Sequence, residues 1–170
     1  RMTKESISGP ADTVALHRLL VDWGEGTKSS GNHGAAATAG EANWTVRKLG
    51  AADWAAPGAQ SGTDFAAAAS GSLNWNEPGS YTFGLAAGLV ADVQSWIDNP
   101  AQNQGWLLKS EQESTVGAAK RVVTREGSAA QRPQLVIGYS VPVPFEPTLT
   151  APRLIGGDFE LRYLLAPGNT

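Results

Sequence analysis

Six tryptophans carry much of the chemistry that this 170-residue sequence could do at its surface. Three of them, Trp23, Trp54 and Trp75, lie in the turn-like stretches VDWGEG, AADWAAPG and SLNWNEPG. An exposed indole beside polar groups is a platform on which the C–H face of a sugar ring can stack. We predict these three as ligand-binding residues, with the alternative that each indole folds back against the core. The other indoles follow apolar patterns and are predicted to lie in the core: Trp44, Trp96 and Trp106.

Two arginines supply a second kind of candidate contact. If residues 119–126 form a strand, Arg121 and Arg125 lie on the same face of it, because side chains alternate along a strand. A guanidinium fork matches the carboxylates of uronate polymers. The alternative is that both arginines form cross-strand salt bridges.

Asp22 and Glu25, with nearby turn carbonyls, are the candidate metal ligands. Such oxygen atoms suit a structural calcium ion, which is the only cofactor that the sequence suggests. The spacing of an EF-hand is absent, and the alternative is that both carboxylates only cap or solvate a turn.

Catalytic machinery is hard to assemble from these residues. The chain has no cysteine and no serine in a Gly-x-Ser-x-Gly elbow. His17 and His33 are the only side chains whose ordinary pKa lies near neutral pH. We predict His17 on a strand and His33 in a glycine-rich loop, so an enzyme, such as a polysaccharide lyase or hydrolase, is the less favoured alternative.

Charge and hydropathy narrow the classes of partner. The formal net charge is −3, so the chain lacks the basic surface that nucleic-acid binding requires. No apolar run reaches the length of about eighteen residues that a membrane-spanning helix needs, so no membrane span is predicted. Hydrophobic residues make up 41% of the chain, which is enough to form a core.

The pattern of elements favours an all-β protein. Short apolar or alternating runs are separated by Gly, Ser, Asn and Pro, which is typical of a sandwich or barrel. We predict strands at 13–20, 43–48, 64–70, 81–85, 105–109, 119–126 and 134–141.

One short helix is predicted at about residues 88–98. Its apolar face is formed by Leu89, Val90, Val93, Trp96 and Ile97, with Asp92 on the opposite, polar face. The helix should end before Pro100, which lacks a backbone donor and disfavours helix in the residue before it. So short a helix is not stable alone and must lie on a sheet.

Five segments, in this order, resemble a known family. They are LHRLLVDWGEGT (16–27), ANWTVRK (42–48), SGTDFAAAASG (61–71), YTFGLAAGLVADVQSWIDNPAQNQGWLLKS (81–110) and KRVVTREGSAAQRPQLVIGYS (120–140). The set resembles the DNRLRE domains, related to the disaggregatase repeat, of bacterial and archaeal secreted and surface proteins. Some of these domains are classed among carbohydrate-binding modules. The resemblance implies a jelly-roll-like β-sandwich in which the helix plugs one end of the core.

The resemblance also implies a domain organisation. Residues 1–141 would form the DNRLRE-like sandwich, 142–157 a proline-rich linker, and 158–170 the start of a following β module. The family's first strands are missing, so we expect an open edge beside residues 13–20. That edge would be completed by the missing strands, by a neighbouring copy, or by residues 147–170 folding back.

The sequence therefore predicts a non-catalytic module of a secreted or bacterial cell-surface protein that binds polysaccharide, including uronate-rich polymers. The alternative to a binding module is a purely structural spacer of a surface protein or filament. An enzyme that degrades polysaccharides is the third hypothesis.

Overall fold

The computed structural model describes residues 1–6, 11–27, 35–116 and 118–141, together with the backbone of two short strands at 153–155 and 158–160. The chain divides into two compact units, Arg1–Leu135 and Val136–Thr170. The first unit contains all the described candidate site residues. Its described part is broadly all-β, with three small antiparallel sheets and one α-helix.

The largest share of the core lies on a three-stranded sheet with the order β5-β2-β7. Its strands are β2 (Asp12–Arg18), β5 (Gly71–Trp75) and β7 (Trp106–Ser110), and both neighbours run antiparallel to β2. The second sheet has the order β6-β1-β8, from β1 (Met2–Ser6), β6 (Gly79–Tyr81) and β8 (Arg121–Val122). The third is a pair of short strands, β3 (Val46–Lys48) and β4 (Ala52–Asp53).

Strand β2 is covered on both faces, since the neighbouring residues Val14 and Ala15 are both buried. On the face that carries Ala15 and His17, the cover is a loop that contains Phe65. The rings of His17 and Phe65 meet edge to face with 5.1 Å between centroids, and Leu19 forms a β-bridge to Phe65. Burial of Leu19 and Phe65 therefore closes this side of the sheet.

The helix α1 (Ala87–Asp98) forms where the sequence predicts it and is followed by a 3-10 helix at Pro100–Gln102. Trp96 is buried, as predicted, and its ring centroid lies 4.5 Å from that of Trp106 on β7. The helix comes close to the sheet at Gly88, where a Cβ would lie 2.6 Å from the carbonyl oxygen of Ser70. Only glycine allows this approach without a shift of the backbone.

The predicted polarity of α1 is partly wrong. Asp92, placed on the polar face, is buried, whereas Val90 and Ile97, placed on the apolar face, are exposed. The reason is that the Asp92 carboxylate has partners inside: it accepts hydrogen bonds from Ser70 Oγ and from Trp106 Nε1, and lies 3.5 Å from Arg18 Nε. A buried charge is tolerated when it is paired and hydrogen-bonded in this way.

The second sheet buries a lysine. Lys4 on β1 is only 1% exposed, and its Nζ donates to the Asn76 carbonyl oxygen at 2.7 Å. Burial lowers the pKa of Lys4 and the positive charge of Lys120 lowers it further, while the charge of Glu77 acts in the opposite direction. Lys4 thereby ties β1 to the connection between β5 and β6.

Several predicted strands are shorter or absent in the structure. The strand predicted at 43–48 begins only at Val46. The strand predicted at 81–85 is replaced by one at Gly79–Tyr81, and the strand predicted at 119–126 is limited to Arg121–Val122. At 64–70 only the isolated bridge at Phe65 forms, because the buried carboxylate of Asp64 accepts the N–H groups of Ala55 and Gln60 and folds the segment into a loop. Residues 134–141 lie in no ladder.

The expectation of an open edge beside residues 13–20 is wrong. Strand β2 is the central strand of its sheet, paired over five residues with β5 and over five with β7. The edges of this sheet are β5 and β7.

In the second unit, β9 (Arg153–Ile155) and β10 (Asp158–Glu160) form an antiparallel hairpin with Phe159 opposite Leu154. Of residues 158–170, predicted as the start of a following β module, 161–170 lie outside the described residues. No helix in the described part of the chain is both long and apolar enough to cross a membrane. The jelly-roll arrangement and the domain boundaries remain predictions.

Candidate functional site

Three of the six indoles are carried by one hydrogen-bonded layer of loops in the first unit. We call Trp23, Trp44 and Trp54 with their loops, residues 20–27 and 41–58, the indole surface. The layer is joined at Gly24, whose N–H donates to the Arg47 carbonyl at 2.8 Å and whose carbonyl accepts from Ala42 N at 2.7 Å. The two loops are thus held together by main-chain bonds.

Trp23 is fixed but remains accessible. Its Nε1 donates to the carbonyl oxygen of Gln104 at 3.0 Å, and 41% of the residue is exposed. Because the polar atom of the indole is bonded to the protein, the ring is oriented while part of its apolar surface stays in water. This arrangement agrees with the predicted exposure of Trp23.

Trp44 is 64% exposed, more than any other tryptophan of the chain. Its predicted place in the core is therefore wrong. The strand does not begin until Val46 because the Asn43 side chain makes a turn, its Oδ1 accepting from Thr45 N at 2.8 Å and Val46 N at 3.0 Å. The turn directs Trp44 outward from the ladder.

Gly58 supports the exposed Trp44 ring. It adopts a φ of +84°, and its N–H donates to the Trp44 carbonyl at 2.7 Å. A Cβ at this position would lie 2.5 Å from the Trp44 Cη2 atom, so the ring rests directly on the glycine. Trp54 is half-buried beside them and donates its Nε1 to the Asn43 carbonyl at 2.9 Å.

The predicted metal ligands are both engaged by cationic side chains. The carboxylate of Asp22 contacts Arg47 and Lys48, and the hydrogen bond from Lys48 is the main reason that the pKa of Asp22 is lowered. Glu25 accepts from Arg125 Nε at 2.7 Å. Among the described residues, no group of three or more His, Cys, Asp or Glu side chains is arranged to hold a metal ion.

The two predicted arginines do not share a strand face, because β8 ends at Val122 and Arg125 lies in a turn. Arg121 pairs with Glu5 on β1 at 2.9 Å. Arg125 pairs with Glu25 and, at 2.9 Å, with Glu126. The structure therefore brings Arg125 to the loop that carries Trp23, and leaves Arg121 on the second sheet.

Trp75 is the predicted ligand-binding residue that the structure removes from the surface. It is 3% exposed, and its ring meets that of Tyr81 edge to face with 6.2 Å between centroids. The stretch SLNWNEPG is turn-like only after Trp75, which is itself the last residue of β5. Its predicted exposure is wrong, and a buried indole presents no face to a sugar.

Glu41 is a structural residue of this region that the sequence did not reveal. One carboxylate oxygen accepts from the Thr27 N–H and hydroxyl, both at 3.2 Å, and the other accepts from Thr38 N at 2.6 Å. The main-chain bonds from Thr38 and Thr27 lower the pKa of Glu41 to about 2. The carboxylate thus ties Thr27 to Thr38, and the spacing of three residues between Thr38 and Glu41 is the only local signal.

His17, the described candidate for a general base, is engaged within the fold. The Nδ1 of His17 lies 2.9 Å from the Ala66 carbonyl oxygen, and its ring packs on Phe65. Asp64 is buried and bonded to main-chain amides. His33 lies outside the described residues.

Comparison of the chain with protein-family models, with curated proteins and with solved structures finds no match.

Proposed function

We propose that this protein is a non-catalytic carbohydrate-binding module that holds its ligand on the indole surface. The observation that carries the proposal is the pair of accessible indoles, Trp44 at 64% and Trp23 at 41% exposure, each on a loop fixed by hydrogen bonds. Large apolar rings are costly to leave in water, and a pre-oriented one loses little entropy when a sugar ring stacks on it.

A neutral glycan fits this surface better than a uronate polymer. The cations beside the indoles already have carboxylate partners, since Arg47 and Lys48 contact Asp22, and Arg125 contacts Glu25 and Glu126. An incoming uronate would have to displace these partners. Hydroxyl groups of a neutral sugar can bond to the free lone pairs of the same carboxylates without breaking an ion pair.

The resemblance to DNRLRE domains supports the same proposal, because some of those domains are classed as carbohydrate-binding modules. A secreted or cell-surface protein of bacteria, which the resemblance implies, is part of the same proposal. Calcium does not enter the proposal, because Asp22 and Glu25 are occupied by cationic side chains.

Affinity electrophoresis in gels that contain neutral or acidic polysaccharides tests the proposal. We expect neutral polysaccharides to retard the protein, and Trp44→Ala or Trp23→Ala to weaken binding about tenfold, or ~1.4 kcal/mol. Ile97→Ala, which also truncates an exposed apolar side chain but on α1, is the matched control and should leave retardation unchanged.

Other outcomes identify the rival hypotheses. Retardation only by alginate or pectin, weakened by salt and by joint replacement of Arg121 and Arg125, would support a uronate-binding surface. If no neutral or acidic polysaccharide binds, the structural spacer is favoured. That second candidate rests on the ion pairs of the first unit, such as Lys109 with Glu113 at 3.2 Å and Arg121 with Glu5.

A further inference from the structure

The loop that carries Trp44 also contains a motif for covalent modification. Asn43, Trp44 and Thr45 form the only Asn-x-Ser/Thr triplet in the sequence, with a residue other than proline in the middle. Such a triplet is an acceptor for N-linked glycans when it lies in a surface loop of a secreted protein. The sequence places the triplet in the strand predicted at 43–48, so its position in the fold decides whether it can be an acceptor.

The fold places the triplet at the surface. Strand β3 begins only at Val46, and Asn43, Trp44 and Thr45 are all exposed. They lie in the turn before β3, which the main chain closes by a hydrogen bond of 2.9 Å from Asn43 N to the Val46 carbonyl oxygen. A glycan attached here would extend from a surface turn and would displace no described strand.

The hydrogen bonds of Asn43 leave the reacting atom free. Its Oδ1 accepts from Thr45 N at 2.8 Å, from Val46 N at 3.0 Å and from the Thr45 hydroxyl at 3.0 Å. Because main-chain N–H groups only donate, the atom that they contact must be the amide oxygen, and Nδ2 is the branch turned away from them. Within the described part of the chain, Nδ2 donates to no acceptor. Attachment of a glycan to Nδ2 would therefore break none of the hydrogen bonds that shape the turn.

We propose that Asn43 is an acceptor for N-linked glycosylation. The donor is a glycan joined through a pyrophosphate to a lipid carrier. Nδ2 forms a bond to the anomeric carbon of the first sugar while the bond from that carbon to the pyrophosphate oxygen breaks. Nδ2 loses one proton to a base of the transferring enzyme, and the lipid pyrophosphate leaves. Thr45 supplies the hydroxyl that the motif requires two residues after the asparagine.

This inference rests on the proposed secretion of the protein, because secretion brings the chain to the transferring enzyme. It does not rest on the binding of polysaccharide by the indole surface. The test measures the mass of the chain rather than its retardation by polysaccharides, so the two proposals can fail separately.

The first test is the intact mass of the full chain after secretion from a host that attaches N-linked glycans in its secretory pathway. We expect the mass to increase by one glycan, which peptide mapping should assign to Asn43. Thr45→Ala and Asn43→Gln should abolish the increase, whereas Thr45→Ser keeps the hydroxyl and should retain it. Thr45→Ala also preserves both main-chain hydrogen bonds to Asn43 Oδ1, so it is informative even if Asn43→Gln does not fold. A wild-type chain secreted without a glycan, or an increase that persists in Thr45→Ala, would overturn the proposal.

The second test asks whether the glycan is compatible with the folded turn. The thermal unfolding midpoint of the glycosylated chain is compared with that of the same chain made in a host without N-linked glycosylation. Since Nδ2 takes no part in the hydrogen bonds of the turn, the glycosylated chain should unfold at the same temperature or higher. A midpoint several degrees lower would show that the glycan disrupts the turn, and would overturn the assignment of Asn43 as an acceptor in the folded protein.

Discussion

The carboxylate of Asp92 on α1 accepts a hydrogen bond from the indole Nε1 of Trp106 on β7 at 2.7 Å. The same Oδ2 accepts from Ser70 Oγ, and Oδ1 lies 3.5 Å from Arg18 Nε. One buried acid therefore links the helix to residues on β2 and β7 and to the residue before β5. The helix is held by a polar cluster as well as by its apolar side chains.

Asp92→Ala should lower the free energy of unfolding by about 2 kcal/mol, because it leaves the buried Ser70 hydroxyl and the half-buried Trp106 N–H without their acceptor. Denaturant unfolding followed by tryptophan fluorescence measures the change. Gln94→Ala, at an exposed position of the same helix, should change stability by less than about 0.5 kcal/mol. Equal effects of the two replacements would contradict the structural role of Asp92.

Trp96→Ala should cost about 3–5 kcal/mol, the range for removing a large buried aromatic side chain. The ring packs 4.5 Å from that of Trp106, and its loss would leave a cavity between α1 and the sheet. The midpoint of thermal unfolding is compared between Trp96→Ala and Ile97→Ala, because Ile97 is an exposed neighbour on the same helix. A Trp96→Ala protein as stable as the Ile97→Ala protein would show that α1 does not cover the core.

Gly58→Ala should disturb the indole surface more than an ordinary glycine replacement does. The added Cβ would lie 2.5 Å from the Trp44 ring, so the ring has to move. Gly62→Ala is the matched control, because Gly62 has a similar φ of +80° but no atom within 4 Å of the added Cβ.

Both glycine variants should lose about 1 kcal/mol of stability through the positive φ. Only Gly58→Ala should also lose retardation by neutral polysaccharide, to about the extent of Trp44→Ala. Equal binding of neutral polysaccharide by the two variants would show that Trp44 does not contact the ligand.

Low pH should weaken the hydrogen bonds by which the Glu41 carboxylate holds Thr27 and Thr38. Its pKa is about 2 in the folded protein, below its ordinary value of 4.5, so the folded state favours the charged form. The resulting stabilisation is fully present above pH 4.5 and is lost as the pH falls towards 2.

Denaturation midpoints measured through this pH window should therefore fall more steeply for the wild type than for Glu41→Gln. Thr27→Ala, which removes the hydroxyl donor and keeps the main-chain donor, should give an intermediate slope. Parallel curves for wild type and Glu41→Gln would refute the role of the carboxylate.

The sequence by itself determined the local elements that carry their own signals. The 3.6-residue period before Pro100 predicted α1 to within a residue or two, and short runs of apolar and β-branched residues predicted β2 and β7 with similar accuracy. The Trp23 turn also left its ring accessible, as the sequence indicated. In these cases the stabilising interactions lie within the segment or follow from its overall hydropathy.

Tertiary structure alone decided which side chains are buried where the local pattern is ambiguous. Trp75 is buried and Trp44 is exposed, which is the reverse of the prediction. The ring of Trp75 packs against Tyr81, whereas the turn made by the Asn43 side chain directs Trp44 outward. Asp92 is buried because its partners arrive from Ser70, Trp106 and Arg18, far away in sequence.

Pairing of strands is decided in the same way. Residues 134–141 have the composition of a strand, but a ladder exists only where another backbone presents its donors and acceptors at the right distance. Residues 71–75 and 106–110 find that partner in β2, and 135–141 find none among the described residues. A strand's side-chain pattern is local, whereas its hydrogen bonds belong to whichever chain segment the fold brings beside it.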